Sequence, residues 1–323
     1  MISTANFIAS RGHDVEVHAL SFGPNRNINL SKVQELLLTV PYYEARNIQV
    51  EADVAYINYV PFIWRRMRIR GSKVAGLHTH LLLSRQYLSE TILHPLRAGF
   101  EWCLKTIGCF AGLPLIKIDL TSFDAIHMPG SEIGLRDNSK IYKIPLWIDV
   151  TRVPEVDGKY ETFTVLFAGR KTWEKGWFTF CETALRLRRM GYDFRFICTG
   201  EGRKGIHGLG FLSENKLLCV YKRSHVVVYP SIADIFGLVI LEAAACGTPV
   251  ITTPIDAHSR QHLPVLYARD TDDFTKAILY TYTLWKEHPN KYDDWCKKLQ
   301  TSATRYDVSK TLPLFEKMLE SVI

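Results

Sequence analysis

The chain has 323 residues, and at roughly 100 to 200 residues per domain that length favours two compact units over one. With 47% hydrophobic and 23% charged residues it carries enough apolar material for two buried cores, which excludes disorder as its dominant state. Forty Lys plus Arg against 33 Asp plus Glu leave a charge of +7, a mild excess that favours anionic partners such as phosphorylated metabolites or membrane phosphates.

The seven cysteines, at 103, 109, 181, 198, 219, 246 and 296, form no C-x2-C pair, so neither a zinc site nor a disulfide framework is indicated. No secretory leader pattern opens the chain and no run of about 18 uncharged apolar residues occurs. A reducing, cytoplasmic setting is the expectation that follows.

In chain order, small and apolar residues from Ile2 to Ala9 recur at helical spacing, with Gly12 where a helix end is served by glycine. Strands are predicted at Asp14–Leu20, Val54–Tyr59, Lys73–Leu77, Ala125–Met128 and Ile141–Leu146. Between them, Arg65, Arg66, Arg68, Arg70 and Lys73 lie beside Phe62, Ile63 and Trp64. That mixture suits an anionic membrane surface or, equally, a solvated basic loop.

After a turn-rich segment from Pro145 to Gly158 the pattern restarts. Phe163–Ala168, Phe194–Cys198, Val226–Tyr229, Val250–Thr253 and Val265–Tyr267 read as strands. Lys175–Met190, Asn215–Arg223 and Gly237–Ala245 read as helices, and three further helical stretches run from about Asp272 to Val322. Apolar strands alternating with helices predict an α/β architecture with a buried parallel sheet in each half.

Three segments of the second half carry candidate chemistry. In Gly169-Arg170-Lys171-Thr172-Trp173-Glu174-Lys175-Gly176, a strand end leads into a helix, and Arg170 and Lys175 flank its start. Backbone N–H groups and the dipole already favour an anion there, so the two cations read either as a diphosphate cradle or as solvated charges. In the second segment, from Pro230 to Val250, Glu242 sits in a helix that is apolar nearly all round, where a carboxylate needs a partner: a structural hydrogen bond, or paired hydroxyls such as those of a ribose. Asp234 reads as a helix cap, and Phe236, Gly237 and Leu238 offer free N–H groups at the same helix start. The third segment, Thr199-Gly200-Glu201-Gly202, is a Gly-x-Gly turn without the rest of a dinucleotide fingerprint. Asp270, Asp272 and Asp273 read as a helix N-terminal cap rather than a metal site.

The order of these segments resembles the family-4 retaining glycosyltransferases of the GT-B fold, from Ser10-Arg11-Gly12-His13-Asp14-Val15 onward. In that family an Arg and, five positions on, a Lys ahead of Gly bind the donor diphosphate, matching Arg170 and Lys175. A Glu-x7-Glu pattern around a Phe-Gly pair places the first carboxylate on the donor sugar and the second on the ribose; here it reads Asp234-x7-Glu242, with Asp234 one methylene shorter. Tyr229-Pro230-Ser231, Gly247-Thr248-Pro249-Val250 and Ile144-Pro145 with Ile148-Asp149 also match, whereas Leu146-Trp147 stands where the family usually has Asn-Gly. Gly210-Phe211-Leu212-Ser213 resembles the segment that packs on the nucleobase. Leu77-His78-Thr79-His80 resembles a strand end whose first His faces the reaction centre, although the two His alone read as ordinary strand-end residues.

The resemblance implies two Rossmann-like domains facing across a cleft: an acceptor-side domain over 1–150, a nucleotide-sugar-binding domain over 151–305, and a final helix over 306–323 crossing back. It implies a retaining transferase with His78 and Asp234 as catalytic residues. Its donor, a UDP-, GDP- or ADP-sugar, would be held by Gly169, Arg170, Lys175, Phe211, Leu212, Phe236, Gly237, Leu238 and Glu242. No cofactor, no metal and no nucleic acid are expected, because fixed cations and a helix dipole replace a divalent ion. The acceptor stays open between glycan, lipid and small molecule. The alternatives are a catalytically impaired nucleotide-sugar-binding protein and a GT-B epimerase or phosphorylase. Family members also begin with a strand and a glycine-rich loop before the helix matched by Ile2–Ala9. That strand is normally central, between those matching Asp14–Leu20 and Lys73–Leu77, and a gap there would orphan backbone groups on both neighbours, so either the sheet has closed up or the chain is a fragment.

Overall fold

The computed structural model describes residues 2–20, 39–78, 114–130 and 140–323, with single positions at 92, 99, 107 and 112. Helix α1 (Ile2–Ser10) leads through Gly12, at φ 95°, into β1 (Val17–Leu20), which pairs in parallel with β2 (Tyr42–Ala45). A separate four-stranded parallel sheet holds β3 (Ile48–Asn58), β4 (Met67–Gly76), β5 (Ala125–His127) and β6 (Ile141–Tyr142) in that order. Two strands begin earlier than predicted, because their first halves carry Gln49, Glu51, Arg68 and Arg70 and lack the apolar signal of Val54–Ile57 and Val74–Ala75. Arg68 and Arg70 are thus strand residues, not loop residues. Opposite the register shift between Glu51 and Val54 lies Gly71, at φ 120°, where a Cβ would overlap the Ala52 carbonyl.

No strand of the β1–β2 pair joins this sheet. Lys73–Leu77 does not border a gap: β4 is hydrogen-bonded on both sides, to β3 and β5, and β3 carries the edge of the four-stranded sheet.

The second sheet has six parallel strands. They are β7 (Thr164–Phe167), β8 (Arg195–Cys198), β9 (His207–Gly208), β10 (Val226–Tyr229), β11 (Val250–Thr252) and β12 (Leu266–Tyr267), in the order β12-β11-β10-β7-β8-β9. Alternate residues of the apolar runs serve opposite faces. Leu166, Ile197, Val227 and Val250 join one core, and Val165, Phe167, Phe196, Val228 and Ile251 the other. Burying each such side chain stabilises the fold by about 1.5 to 3 kcal/mol. The flanking helices are α2 (Trp177–Arg189), α3 (Glu214–Arg223), α4 (Leu238–Ala245), α5 (Asp256–Ser259), α6 (Thr271–Glu287) and α7 (Pro289–Ala303). The strand order reverses between β7 and β10, and in doubly wound sheets the crevice at that switch point, beyond the carboxyl ends, receives the ligand.

The last helix, α8 (Val308–Glu320), returns to the first sheet, where Phe315 and Met318 pack with Ile8, Val74, Ala125 and Ile144. The two crossings between halves are tied together, with Ile148 N–H donating to Tyr306 O at 3.0 Å and Val308 N–H to Ile148 O at 2.9 Å. The halves also meet where Gly130, just after β5, packs so closely that a Cβ would overlap the Ile235 carbonyl. No helix of the described residues is long and apolar enough to cross a membrane.

Candidate active site

The segments following β7 and β10 converge at the switch point. Lys175, in the turn before α2, reaches Asp234, in the loop before α4, with Nζ 3.3 Å from Oδ2 and 3.0 Å from Ala233 O. Tyr229, the last residue of β10, donates its hydroxyl to the same Oδ2 at 2.6 Å, and His258 Nε2 stands 3.7 Å from it. Burial alone would raise the Asp234 pKa, but the His258, Lys175 and Tyr229 contacts outweigh it and hold the carboxyl well below the usual range. Asp234 is therefore an ionised carboxylate fixed by three groups. It does not cap α4, whose N-cap is Gly237.

Gly237 adopts φ 76°, and a Cβ there would lie 3.0 Å from His258 Cδ2 and 3.1 Å from Ile240 Cδ1. Buried Gln261 donates its amide to the carbonyls of Phe236 and of Gly237, the latter at 3.1 Å. Those carbonyls are thereby held, and the opening N–H groups of α4 have no acceptor within the helix. Arg170 is 62% exposed and pairs through Nη2 with Glu174 Oε1 at 3.3 Å; the Glu174 side chain is fully buried and has no closer hydrogen bond among the described residues. Gly169 donates its N–H to Thr199 Oγ1 at 3.2 Å, which links this loop to the end of β8.

Glu242 has a partner that sequence reading did not name. Tyr221, on α3, donates its hydroxyl to Oε2 at 2.9 Å, and burial pushes the Glu242 pKa up to about 7. Phe211 is 94% exposed and Leu212 half-buried, on a turn held by reciprocal backbone bonds between Gly200 and Gly210. In the Gly-x-Gly turn Gly200 takes φ 71°, and a Cβ on Gly202 would overlap the backbone of Ile206 and Gly208. Asp270 accepts from Asp273 N–H at 2.9 Å, so this acidic cluster caps α6. Among the described residues, the one grouping of metal-ligand atoms is His13, Glu316 and Glu320, where Arg11 and His13 already engage Glu316.

In the first half, His78 lies two residues beyond β4 and its Nε2 is 2.6 Å from the Tyr56 hydroxyl. Its neighbour in sequence reading, His80, lies outside the described residues. His258, Gln261, Tyr221, Tyr56 and His127 complete the arrangement without having been singled out; each is an isolated residue in sequence whose role arises from a tertiary neighbour. In the basic stretch, Trp64 is buried and Phe62 and Ile63 are exposed. The fully buried carboxylate of Asp119 accepts from Tyr59 Oη at 2.9 Å, Trp64 Nε1 at 2.8 Å, Arg65 Nε at 2.9 Å and Phe62 N at 3.3 Å.

Residues 162–283 match the family described as Glycosyl transferases group 1. Over 119 residues the chain is 35% identical to D-inositol 3-phosphate glycosyltransferase of Paenarthrobacter aurescens, covering 31% of this chain and 29% of that one. Over 321 residues it is 23% identical to the phosphatidylinositol N-acetylglucosaminyltransferase gpi3 subunit of Schizosaccharomyces pombe, covering 88% and 69%. The chain thus spans less than a third of the length of the first of these relatives. Anabaena HepE, solved in complex with UDP and glucose, shares the fold at a TM-score of 0.72 and 15% identity, over 99% of this chain and 94% of that one. The architecture is GT-B.

Proposed function

We propose, for a chain whose residues 162–283 match the group 1 glycosyl transferases, that it moves a sugar from a nucleotide diphosphate sugar to an acceptor with retention of configuration and without a metal. The observation that carries this reading is the convergence of Lys175, Asp234 and the Gly237 helix start at the switch point. Arg170 turns from Glu174 to the diphosphate, and with Lys175 and the α4 N–H groups it takes up the charge that develops on the leaving group. Glu242 receives the ribose hydroxyls. Phe211 and Leu212 lie along the base. As the bond from the anomeric carbon to the diphosphate oxygen breaks, an oxocarbenium-like sugar forms; the acceptor hydroxyl attacks it from the same face and gives its proton to the departing diphosphate.

HepE, seen with UDP and glucose, supports a UDP-sugar as the first donor to try. The names of the two transferases above support an acceptor built on phosphorylated inositol, free or lipid-linked. The exposed Phe62 and Ile63 beside Arg66, Arg68 and Arg70 favour the lipid-linked form and a protein peripheral to an anionic membrane.

A thermal-shift screen of nucleotides and nucleotide sugars tests donor binding, since a ligand of the native state raises the melting temperature. Turnover is then measured with inositol phosphate and with phosphatidylinositol vesicles. The reading fails if no nucleotide sugar shifts the melting point. Binding without transfer to either acceptor would instead support a silent nucleotide-sugar-binding protein.

A further inference from the structure

Tyr56 on β3, His78 two residues beyond β4 and His127 at the end of β5 form a chain of hydrogen bonds. The Tyr56 hydroxyl lies 2.6 Å from His78 Nε2 and 2.7 Å from His127 Nδ1, and His127 Nε2 lies 2.7 Å from the Ile144 carbonyl oxygen. One end fixes the direction of every bond. A carbonyl only accepts, so His127 Nε2 carries a proton. His127 is fully buried and burial lowers its pKa to about 4, so the ring is neutral and Nδ1 is an acceptor. Tyr56 must give that nitrogen its only proton. Its oxygen is then left to accept, and the donor is His78 Nε2–H. Burial likewise lowers the His78 pKa to about 4, so its Nδ1 bears a lone pair and has no hydrogen bond from a described residue.

The surroundings keep this chain in place. A Cβ on Gly76 would overlap the Tyr56 hydroxyl and come within 2.9 Å of His78 Nε2, so glycine makes room for the bridge. From α8, Phe315 packs edge-on against Tyr56 at 4.9 Å and against His127 at 5.4 Å. Three residues beyond His127, Gly130 abuts Ile235 in the loop that carries Asp234. His78 and Gly130 both lie past the carboxyl ends of parallel strands, β4 and β5, and that end of the sheet is the one that meets the donor loop at Ile235.

We propose that Tyr56 and His127 are positioning residues that hold His78 as its Nε2–H tautomer, so that Nδ1 is the acceptor offered to a hydroxyl of the reacting sugar or its acceptor. The role of Nδ1 rests on the glycosyl-transfer reading; the tautomer does not. Long-range proton–nitrogen NMR of the ligand-free protein, labelled at histidine, reads it directly: His78 shows a protonated Nε2 and an unprotonated Nδ1. His127→Leu frees the Tyr56 proton to turn toward His78, and the tautomer of His78 inverts. Tyr56→Phe removes the bridge, so both His78 tautomers appear and kcat falls about tenfold, the loss of roughly one net hydrogen bond, while donor affinity is unchanged.

A wild-type His78 that is protonated at Nδ1 or doubly protonated overturns the proposal whether or not the variants fold. So does an unchanged His78 tautomer in folded His127→Leu, or an unchanged kcat in folded Tyr56→Phe. If the tautomer is as stated and no nucleotide sugar binds or reacts, it is the transferase reading that falls.

Discussion

Tyr221 on α3 gives its hydroxyl to Glu242 on α4 across 2.9 Å, and one carboxylate oxygen is thereby committed before any ligand arrives. The rest of the carboxylate remains for hydroxyls of a nucleoside, and its ionisation is poised by burial, with a pKa of about 7.

Two outcomes follow for Glu242. A carboxyl whose folded-state pKa lies above its ordinary value of 4.5 favours folding while protonated, so this stability is present below pH 4.5 and is lost as pH rises through about 7. Melting curves of the wild type should show that decline, and Glu242→Gln should flatten it. In the binding reaction Glu242→Gln should cost about 1.5 to 3 kcal/mol of donor affinity by calorimetry, since a charged acceptor is replaced by a weaker one. Unchanged affinity in the folded variant would remove Glu242 from the ribose.

Asp234 behaves in the opposite sense. Its folded-state pKa is depressed below 3.8, so its stabilising effect is present above that pH and is lost as pH falls through the lower folded value. Asp234→Asn leaves Lys175 without its buried counter-charge and should lower stability by about 3 kcal/mol near neutral pH. The difference from wild type should shrink as the solution is acidified below pH 3.8. Urea titrations at several pH values measure it, and a pH-independent difference would contradict the ion-pair account.

The legible part of this molecule was its buried parallel sheet. Val226–Tyr229 is apolar at every position because both faces are covered, and its bounds in the structure equal those read from sequence. Gly237–Ala245 was legible as a helix, and its first residue proved to be the N-cap. Less legible was β2, whose Tyr-Tyr-Glu-Ala is too short and mixed to show a period. The candidate site divides likewise. Arg170, Lys175, Asp234 and Glu242 stand out as charges among apolar neighbours. Gln261, His258 and Tyr221 do not, because what makes them matter is a carbonyl, a carboxylate or a helix brought near from 21 or more residues away.

Arg170 and Lys175 divide the work at the diphosphate differently. Lys175 is mostly buried and already faces Asp234, whereas Arg170 is largely exposed and, among the described residues, pairs with Glu174. Lys175→Ala should therefore weaken donor binding and also lower the melting temperature, while Arg170→Ala should weaken binding and turnover with the melting temperature little changed. Transfer should persist in EDTA. Loss of transfer on chelation, restored by Mn²⁺ or Mg²⁺, would overturn the metal-free reading.

Membrane attachment depends on how Phe62 is presented. Phe62 is 47% exposed and sits at φ 60°, a conformation that costs a bulky residue about 1 to 3 kcal/mol. What holds it is Asp119, which accepts from the Phe62 N–H while it also fixes Tyr59, Trp64 and Arg65. The side chain is thus offered to solvent by a rigid turn, beside exposed Ile63 and ahead of the arginines of β4, and exposed Leu115 and Ile118 flank Asp119 on the helical stretch 114–120. An apolar tip ringed by cations fits the headgroup boundary of an anionic bilayer. In vesicle sedimentation the wild type should pellet with anionic lipid, and less so as salt rises. Phe62→Ser combined with Ile63→Ser should abolish pelleting while leaving donor binding intact, because neither side chain touches the second domain's site. Asp119→Asn should lower stability by about 1.5 to 3 kcal/mol, since the buried Tyr59 and Trp64 donors lose a charged acceptor. If the double variant pellets as the wild type does, or if neutral vesicles work as well as anionic ones, this turn is not the membrane contact and the arginines of β4 only solvate an edge of the sheet.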